Sequence, residues 1–169
     1  MNFRNKPLDQ TDRFHLKAAS GWLGLGDLDS AENELIQISP AMQEHPAVLL
    51  AKCEVYHAAQ KWETLLSVTE ALIQQMPRLD FVWVHRSFAL HELRRTQEAF
   101  DALLPAAEKF PSRWLIRYNL ACYCSQLGRR EASLLWLRQA FELGGKDEIK
   151  TLALEDSDFA PLRNELKEL

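Results

Sequence analysis

The chain has 169 residues, of which 47% are hydrophobic and 26% charged, and its formal net charge is −4. That length and composition fit one soluble domain with a sizeable core, and the acidic balance argues against nucleic-acid binding, which needs a surplus of cations. The N-terminal stretch has no signal-peptide core, no apolar run reaches the ~18 residues of a membrane helix, and three cysteines make no disulfide framework. We therefore expect a cytoplasmic protein without nucleic-acid or membrane partners.

Apolar residues recur at helical spacing along most of the chain, and the Gly and Pro residues fall mostly between these segments. The pattern predicts an all-α protein. The predicted helices run, in chain order, near 12–25, 29–39, 46–59, 62–76, 80–93, 96–109, 112–127 and 130–143.

Several residues mark helix ends within this pattern. Pro46 suits a first helical turn, Thr96 suits an N-cap, and the glycines at 144–145 suit a C-terminal stop. Pro105 lies inside the sixth predicted helix, and we expect it to bend that helix or shift its hydrogen bonds.

The predicted helices repeat as pairs with a period of 34 residues. Steps of 34 from Gly26 reach Gln60, Arg94 and Gly128, and residue size recurs at fixed offsets from these positions. Seven residues earlier stand Ala19, Cys53, Ser87 and Ala121, and five residues later stand Ala31, Leu65, Ala99 and Ser133. Small residues at constant register indicate positions where helices approach closely.

This pattern resembles the tetratricopeptide repeat, whose 34 residues read W-x2-L-G-x2-Y, then A-x3-F, then P. Trp83 fills the aromatic slot, Ala31 and Ala99 fill the alanine slot, and Pro77 and Pro111 close two units. The resemblance implies antiparallel helix pairs stacked as an α-solenoid, a right-handed superhelix. We predict an N-terminal tail and helix start at 1–13, followed by repeats at 14–47, 48–81, 82–115 and 116–149.

Residues 150–169 resemble the segment that closes bacterial tetratricopeptide arrays, with Asp156, Asp158 and Phe159 ahead of "APLR" at 160–163. We predict that this segment caps the last repeat. Ser157 or Asp158 would cap a short helix. Its apolar face would carry Phe159, Leu162 and Leu166.

The cysteines raise the question of a metal or redox site, because Cys122 and Cys124 form a Cys-x-Cys pair. Residues two apart on a helix point ~200° away from each other, so the pair cannot chelate one ion without unwinding the helix. His57 and His91 share one slot of neighbouring repeats, which is a weak metal signal by itself. We predict packing roles for the cysteines, and no metal, cofactor or catalytic site.

The resemblance also implies a concave groove lined by the first helix of each repeat. Cations beside aromatic rings there suit an acidic or carboxylate-bearing peptide with an apolar anchor, although such residues also occur as core aromatics and solvated surface charges. The predicted peptide-binding residues are Lys52, Tyr56, Trp83, Arg86, Arg94 and Arg117.

These features predict a non-enzymatic adaptor that binds a peptide segment of another protein. Two other binding functions remain open at this point: a small secretion-type tetratricopeptide chaperone for a client protein, and a self-association module. An enzyme or metal protein is the remaining alternative.

Overall fold

The computed structural model of the protein describes residues 7–169. Within them no β-strand is found, and short 3₁₀ helices occupy Pro40–Met42 and Ser157–Leu162. The α-helices are α1 (Gln10–Gly24), α2 (Leu28–Gln37), α3 (Pro46–Ala58), α4 (Trp62–Gln75), α5 (Asp80–Glu92), α6 (Thr96–Lys109), α7 (Trp114–Gln126), α8 (Arg130–Gly144), α9 (Lys146–Glu155) and α10 (Arg163–Glu168).

The ends of the eight predicted helices agree with the structure to within two residues. Pro46 is the first residue of α3, as expected for a side chain that fixes the backbone in the first turn. The N-cap prediction for Thr96 is wrong by one residue, because Arg95 holds that position and Thr96 begins α6. α6 is a continuous helix that contains Pro105.

The helices form two compact units, one ending at His85 and the other beginning at Arg86, with the boundary inside α5. In the first unit α1 packs on α2, α2 on α3, and α3 on α4. In the second unit α7 packs on α6 and on α8, and α8 packs on α9. Short connections make sequential helices antiparallel neighbours.

The turn inside each helix pair has the same backbone geometry. Its central residue adopts a positive φ: 77° at Gly26, 56° at Gln60, 63° at Arg94 and 71° at Gly128. The next amide donates to a carbonyl five residues earlier, as in the bond from Arg129 to Cys124 at 2.8 Å. Left-handed backbone favours glycine, so two of the four turns place a less suitable residue there.

The residues that recur at these fixed offsets, most of them small, are fully buried. Ser133 shows how a polar residue is tolerated at such a position, because its Oγ donates to the Ala121 carbonyl of α7 at 2.7 Å. The positions with 0% exposure include Ala19, Cys53, Ser87, Ala121, Ala31, Leu65, Ala99 and Ser133. The division into four repeats, with the boundaries given above, stays a prediction.

The C-terminal segment lies against α7 of the second unit. Phe159, Leu162 and Leu166 are at most 4% exposed, and the Phe159 ring meets the Tyr118 ring edge-on at 5.5 Å between centroids. The predicted cap residue is wrong: Asp156 caps the 3₁₀ helix, its carboxylate accepting from the amide of Asp158 at 2.9 Å. The role of the segment as the cap of a repeat array stays a prediction.

Crossing a bilayer requires a helix that is both long and continuously apolar. None of the helices within residues 7–169 meets both requirements.

Candidate functional site

Two of the predicted groove residues, Trp83 and Arg86, lie three positions apart on α5 and therefore on one face of that helix. Both side chains are half-buried. The indole Nε1 of Trp83 donates to the Pro77 carbonyl at 3.2 Å, which fixes the ring against the start of its own helix. A partly exposed indole with a fixed orientation is a suitable anchor for an apolar partner group.

Lys52 and Tyr56 occupy α3 at different depths. Lys52 is half-buried, and its Nζ donates to the Gln43 carbonyl at 3.1 Å. Burial lowers the pKa of Lys52, and the charge of Glu44 partly opposes that shift. Tyr56 is only 8% exposed, and burial together with the charge of Glu32 raises its pKa.

Arg117 is buried on α7, with only 8% of its surface exposed. Its guanidinium donates to the carbonyls of Ala107, Phe110 and Arg113 at 2.8, 2.9 and 3.3 Å, and burial lowers its pKa. These bonds satisfy carbonyls at the end of α6 and in the following turn. The side chain thus fastens the α6–α7 connection, and few of its donors remain for a ligand.

Arg94 lies at the α5–α6 turn and is exposed. It lines a cleft of about 410 Å³ in the second unit. The other residues around this cleft come from the start of α6 and the end of α7: Arg95, Thr96, Gln97, Glu98, Gln126 and Leu127. Arg94 is available as a surface cation.

The residue four positions before the centre of each turn, the position that Tyr56 occupies in α3, is buried in the second, third and fourth helix pairs. Tyr56, Leu90 and Cys124 are at most 8% exposed, whereas Trp22 in the first pair is 39% exposed. The carbonyls of these slot residues accept the bond that closes each turn. A recurring register therefore located the turn correctly without showing how deeply each side chain lies.

The three cysteines are free and buried. Cys122 and Cys124 have different surroundings. The Sγ of Cys122 lies 3.7 Å from an Asp156 oxygen, whereas the positive charge of Arg129 partly opposes the burial-induced rise in the pKa of Cys124. Burial raises the pKa of all three thiols, that of Cys53 to about 12. Neutral buried thiols fit the predicted packing roles of Cys53 and Cys124.

Two of the histidines have distinct partners in the two units. In the first unit the His57 ring lies 4.5 Å from the His85 ring and 5.9 Å from Trp62, centroid to centroid. In the second unit the Nδ1 of His91 lies 3.0 Å from the Thr96 hydroxyl. His57 and His91 occupy equivalent positions in the repeat pattern, but their rings contact different groups.

A polar cluster forms where the C-terminal segment meets the helices of the second unit. Asp156 accepts a hydrogen bond from the Tyr118 hydroxyl at 2.8 Å, and Asp158 lies 3.0 Å from the Nε2 of His91. Cys122 completes the set. We call these five residues the C-terminal polar cluster. It was missed at the level of sequence because its members are distant in the chain.

Comparisons with known proteins identify the fold. No protein-family model and no curated protein matches the chain. A crystal structure of MamA protein superposes with a TM-score of 0.77 at 14% identity, covering 94% of this chain and 87% of that one. A thermophilic TPR protein from Thermus thermophilus superposes with a TM-score of 0.62 at 18% identity, covering 93% and 95%. The chain has a tetratricopeptide-like fold.

A further MamA structure, residues 41 to the end from Desulfovibrio magneticus RS-1, agrees with this assignment, with a TM-score of 0.76 at 11% identity over 96% of this chain and 92% of that one. At identities this low, the structural superpositions establish the tetratricopeptide-like fold alone. Function has to be argued from the chemistry of this chain's own residues. The predicted all-α class of antiparallel helix pairs is confirmed.

Proposed function

We propose that the protein is a non-enzymatic adaptor that binds a peptide segment of another protein, and that binding is centred on Trp83 and Arg86 of α5. The observation that carries the proposal is the state of Trp83, which is half-buried while its indole N–H is held by the Pro77 carbonyl. A fixed, partly exposed Trp loses little side-chain entropy on binding.

The chemistry of the surrounding residues favours an acidic or carboxylate-bearing peptide. Arg86 stands one turn from Trp83 on the same helix, and each unit contributes one further cation with solvent-accessible surface: Lys52 in the first and Arg94 in the second. Trp and Arg are the residue types that dominate binding energy at interfaces, while peripheral cations act mainly on the association rate. Tyr56 and Arg117 are each only 8% exposed, so we expect them to stabilise their own units rather than to contact the peptide.

The experiment compares the folded wild type with a Trp83→Ala/Arg86→Ala variant for binding of a partner captured from a lysate and then purified. We expect the double change to raise the Kd at least tenfold, which corresponds to ~1.4 kcal/mol. Raising the salt concentration should weaken partner binding by the wild type more than binding by the variant, because the variant has lost one cation.

A matched control removes one Trp and one Arg from a second helix, with Trp136→Ala/Arg138→Ala on α8. Trp136 is also half-buried, so the control carries a comparable risk to folding, which circular dichroism checks for both variants. Equal affinity of the folded Trp83/Arg86 variant and the wild type would place binding elsewhere on the molecule.

The proposal also includes a cytoplasmic location and a bacterial origin. The three free, buried cysteines fit a reducing compartment, and the origin rests on the resemblance of residues 150–169 to bacterial array ends. The chaperone alternative is a variant of the same binding function with a client protein as the ligand. Catalytic assays are expected to show no activity attributable to this chain.

Self-association is a second candidate function, favoured by the first helix. Phe14 and Leu25 on and just after α1 are 66% and 77% exposed, and exposed apolar groups of this size favour contact with another protein surface. Light scattering of the wild type and of a Phe14→Ser/Leu25→Ser variant tests it. A concentration-independent monomeric mass for both proteins would exclude this candidate.

A further inference from the structure

Cys122, Asp156 and Asp158 bring metal-binding atoms together inside the C-terminal polar cluster, and the His91 imidazole adjoins them through its contact with Asp158. The Nε2 of His91 lies 3.0 Å from an oxygen of Asp158, and the Sγ of Cys122 lies 3.7 Å from an oxygen of Asp156. The sulfur and one oxygen from each carboxylate all lie within 4.8 Å of one another. The four donors come from three parts of the chain: the end of α5, the middle of α7 and the start of the 3₁₀ helix.

Two of these spacings are close to those around a tetrahedral zinc ion. Zinc binds Cys sulfur at ~2.3 Å and His nitrogen or carboxylate oxygen at ~2.0–2.2 Å, which separates neighbouring ligand atoms by roughly 3.3–3.8 Å. The pairs at 3.0 and 3.7 Å bracket most of that range. The sulfur and the two carboxylate oxygens lie within 4.8 Å of one another, so completing a tetrahedral set would require rotation of the half-buried carboxylates and of the His91 ring toward the sulfur.

The charge of the cluster also favours a cation. Cys122 is 2% exposed, and the two half-buried carboxylates face its sulfur. The side-chain contacts of Asp156 and Asp158 are with Tyr118, Cys122 and His91, together with the Asp158 amide. Only the histidine among these can carry positive charge. A divalent ion would neutralise more of the negative charge of two carboxylates and a thiolate than a single proton does.

Two groups outside this set of four are placed to orient the ligands. The Nδ1 of His91 lies 3.0 Å from the Thr96 hydroxyl, which can accept its proton and leave Nε2 with a free lone pair for a metal. The Tyr118 hydroxyl donates to Asp156 at 2.8 Å. Histidine and carboxylate ligands of metals are usually held by such second hydrogen bonds. The donor set is thus more than a group of acidic residues or a lone thiol.

We propose that His91, Cys122, Asp156 and Asp158 form a structural site for a divalent transition-metal ion of the zinc type. On binding, the Cys122 thiol releases its proton to solvent and a sulfur–metal bond forms, with no change in oxidation state. The metal ties the C-terminal segment to α7 and α5. The sequence predicted no metal site because Cys122 and Cys124 point apart on one helix and because His57 with His91 is a weak signal. Asp156 and Asp158 lie too far along the chain to be grouped with Cys122 from the sequence.

Cobalt titration of the chelator-treated full chain tests the proposal. Tetrahedral Co²⁺ bound by a thiolate absorbs in the visible by d–d transitions and in the near ultraviolet by sulfur-to-metal charge transfer. We expect both bands to saturate at one equivalent of Co²⁺ and to disappear when Zn²⁺ is added. Absence of the charge-transfer band after prolonged incubation with excess Co²⁺ would overturn the proposal.

Matched variants assign the ligands. Cys122→Ala should abolish the charge-transfer band, and Asp158→Asn should weaken Co²⁺ binding at least tenfold. Cys124→Ala, two residues away on the same helix and also buried, should leave both unchanged. The proposal fails if the band survives in Cys122→Ala or is lost in Cys124→Ala.

A second measurement does not depend on spectroscopy. Ligand binding to the native state alone raises stability, so Zn²⁺ should raise the thermal midpoint of the wild type and of Cys124→Ala. Folded Cys122→Ala should need at least a tenfold higher Zn²⁺ concentration than the wild type to reach the same rise in thermal midpoint. Equal responses of Cys122→Ala and Cys124→Ala would contradict the site, since binding would then not involve Cys122.

Discussion

The two compact units share helix-pair architecture but complete their cores differently. In the unit that begins at Arg86, the C-terminal segment covers α7 with Phe159, Leu162 and Leu166, which are at most 4% exposed. In the unit that ends at His85, the first helix leaves Phe14 66% exposed. Repeat units stack because no single one can bury its apolar face alone.

The difference extends to the polar groups. The second unit holds its terminal segment with hydrogen bonds from Tyr118, Ser125 and Gln126. The first unit instead contains a close pair of imidazoles, His57 and His85, at 4.5 Å between ring centroids. We therefore expect the second unit to depend on its C-terminal segment, and the first unit to depend on pH.

The largest expected effect comes from removing the C-terminal segment. Truncation after Gly145 exposes the surface that Phe159, Leu162 and Leu166 cover, and each such side chain contributes ~1.5–3 kcal/mol gross. We expect the thermal midpoint, measured by circular dichroism in the presence of a chelator, to fall by roughly 10 °C or more. Aggregation seen by light scattering is the alternative form of the same result.

Point variants separate loss of apolar contact from loss of chain length. Leu166→Ala should lower the unfolding free energy by ~2–5 kcal/mol, because Leu166 is fully buried. Leu152→Ala on α9 should cost less than ~1 kcal/mol, because that side chain is 42% exposed. A monomeric truncated chain with an unchanged midpoint would show that the segment does not stabilise the second unit.

Predictability from the sequence also differs between features. Helix ends were predictable because turn residues and apolar period agree locally, as at Pro46 and Gly144. The burial of Arg117 was not predictable, because the position of a residue on a helix face does not show which carbonyls surround its side chain. The C-terminal polar cluster was not predictable either, since Cys122 and Asp156 are 34 residues apart and meet only through tertiary packing.

The second prediction concerns acid sensitivity of the first unit. Burial, and then the neighbouring His57, lowers the pKa of His85 to about 4. In the unfolded chain a histidine has a pKa near ~6.5, so between pH 6.5 and 4 the unfolded state binds more protons. The stability contributed by neutral His85 is therefore complete above pH 6.5 and falls as the pH drops toward 4.

The size of this loss is on the order of 1–2 kcal/mol, since His85 is partly exposed and solvent screens its charge. Urea unfolding at pH 7 and pH 5 measures it in the wild type and in His85→Leu, a change of similar volume. We expect the variant to lose less stability than the wild type between these two pH values. Identical losses in both proteins would show that His85 does not cause the acid sensitivity.

The third prediction compares two tyrosine hydroxyls within the second unit. Tyr118 donates to the carboxylate of Asp156 at 2.8 Å, and Tyr123 has a 3.0 Å hydroxyl–hydroxyl bond to Ser87. Bonds to charged groups contribute ~1.5–3 kcal/mol and neutral ones ~0.5–1.5. Tyr118→Phe should therefore lower the unfolding free energy more than Tyr123→Phe does, as measured by denaturant titration without metal. The reverse order would contradict a stabilising role for Asp156.

The smallest expected effects lie in the turns, where the two units are alike. Each unit has one glycine turn and one turn whose central residue is Gln60 or Arg94, at φ values of 56° and 63°. Left-handed backbone costs a non-glycine residue roughly 1–2 kcal/mol, and part of that is offset by the larger entropy of unfolded glycine. We expect Gln60→Gly and Arg94→Gly each to raise the unfolding free energy by ~0.5–1 kcal/mol.

The reciprocal change at Gly26 supplies the control. A Cβ added there meets no atom within 4 Å, so Gly26→Ala tests the backbone conformation alone and should destabilise the protein by ~1 kcal/mol. Denaturant titration of the three single variants measures all these effects. If Gln60→Gly and Arg94→Gly are both neutral while Gly26→Ala destabilises, then the side chains of Gln60 and Arg94 stabilise their turns through contacts worth as much as the backbone strain.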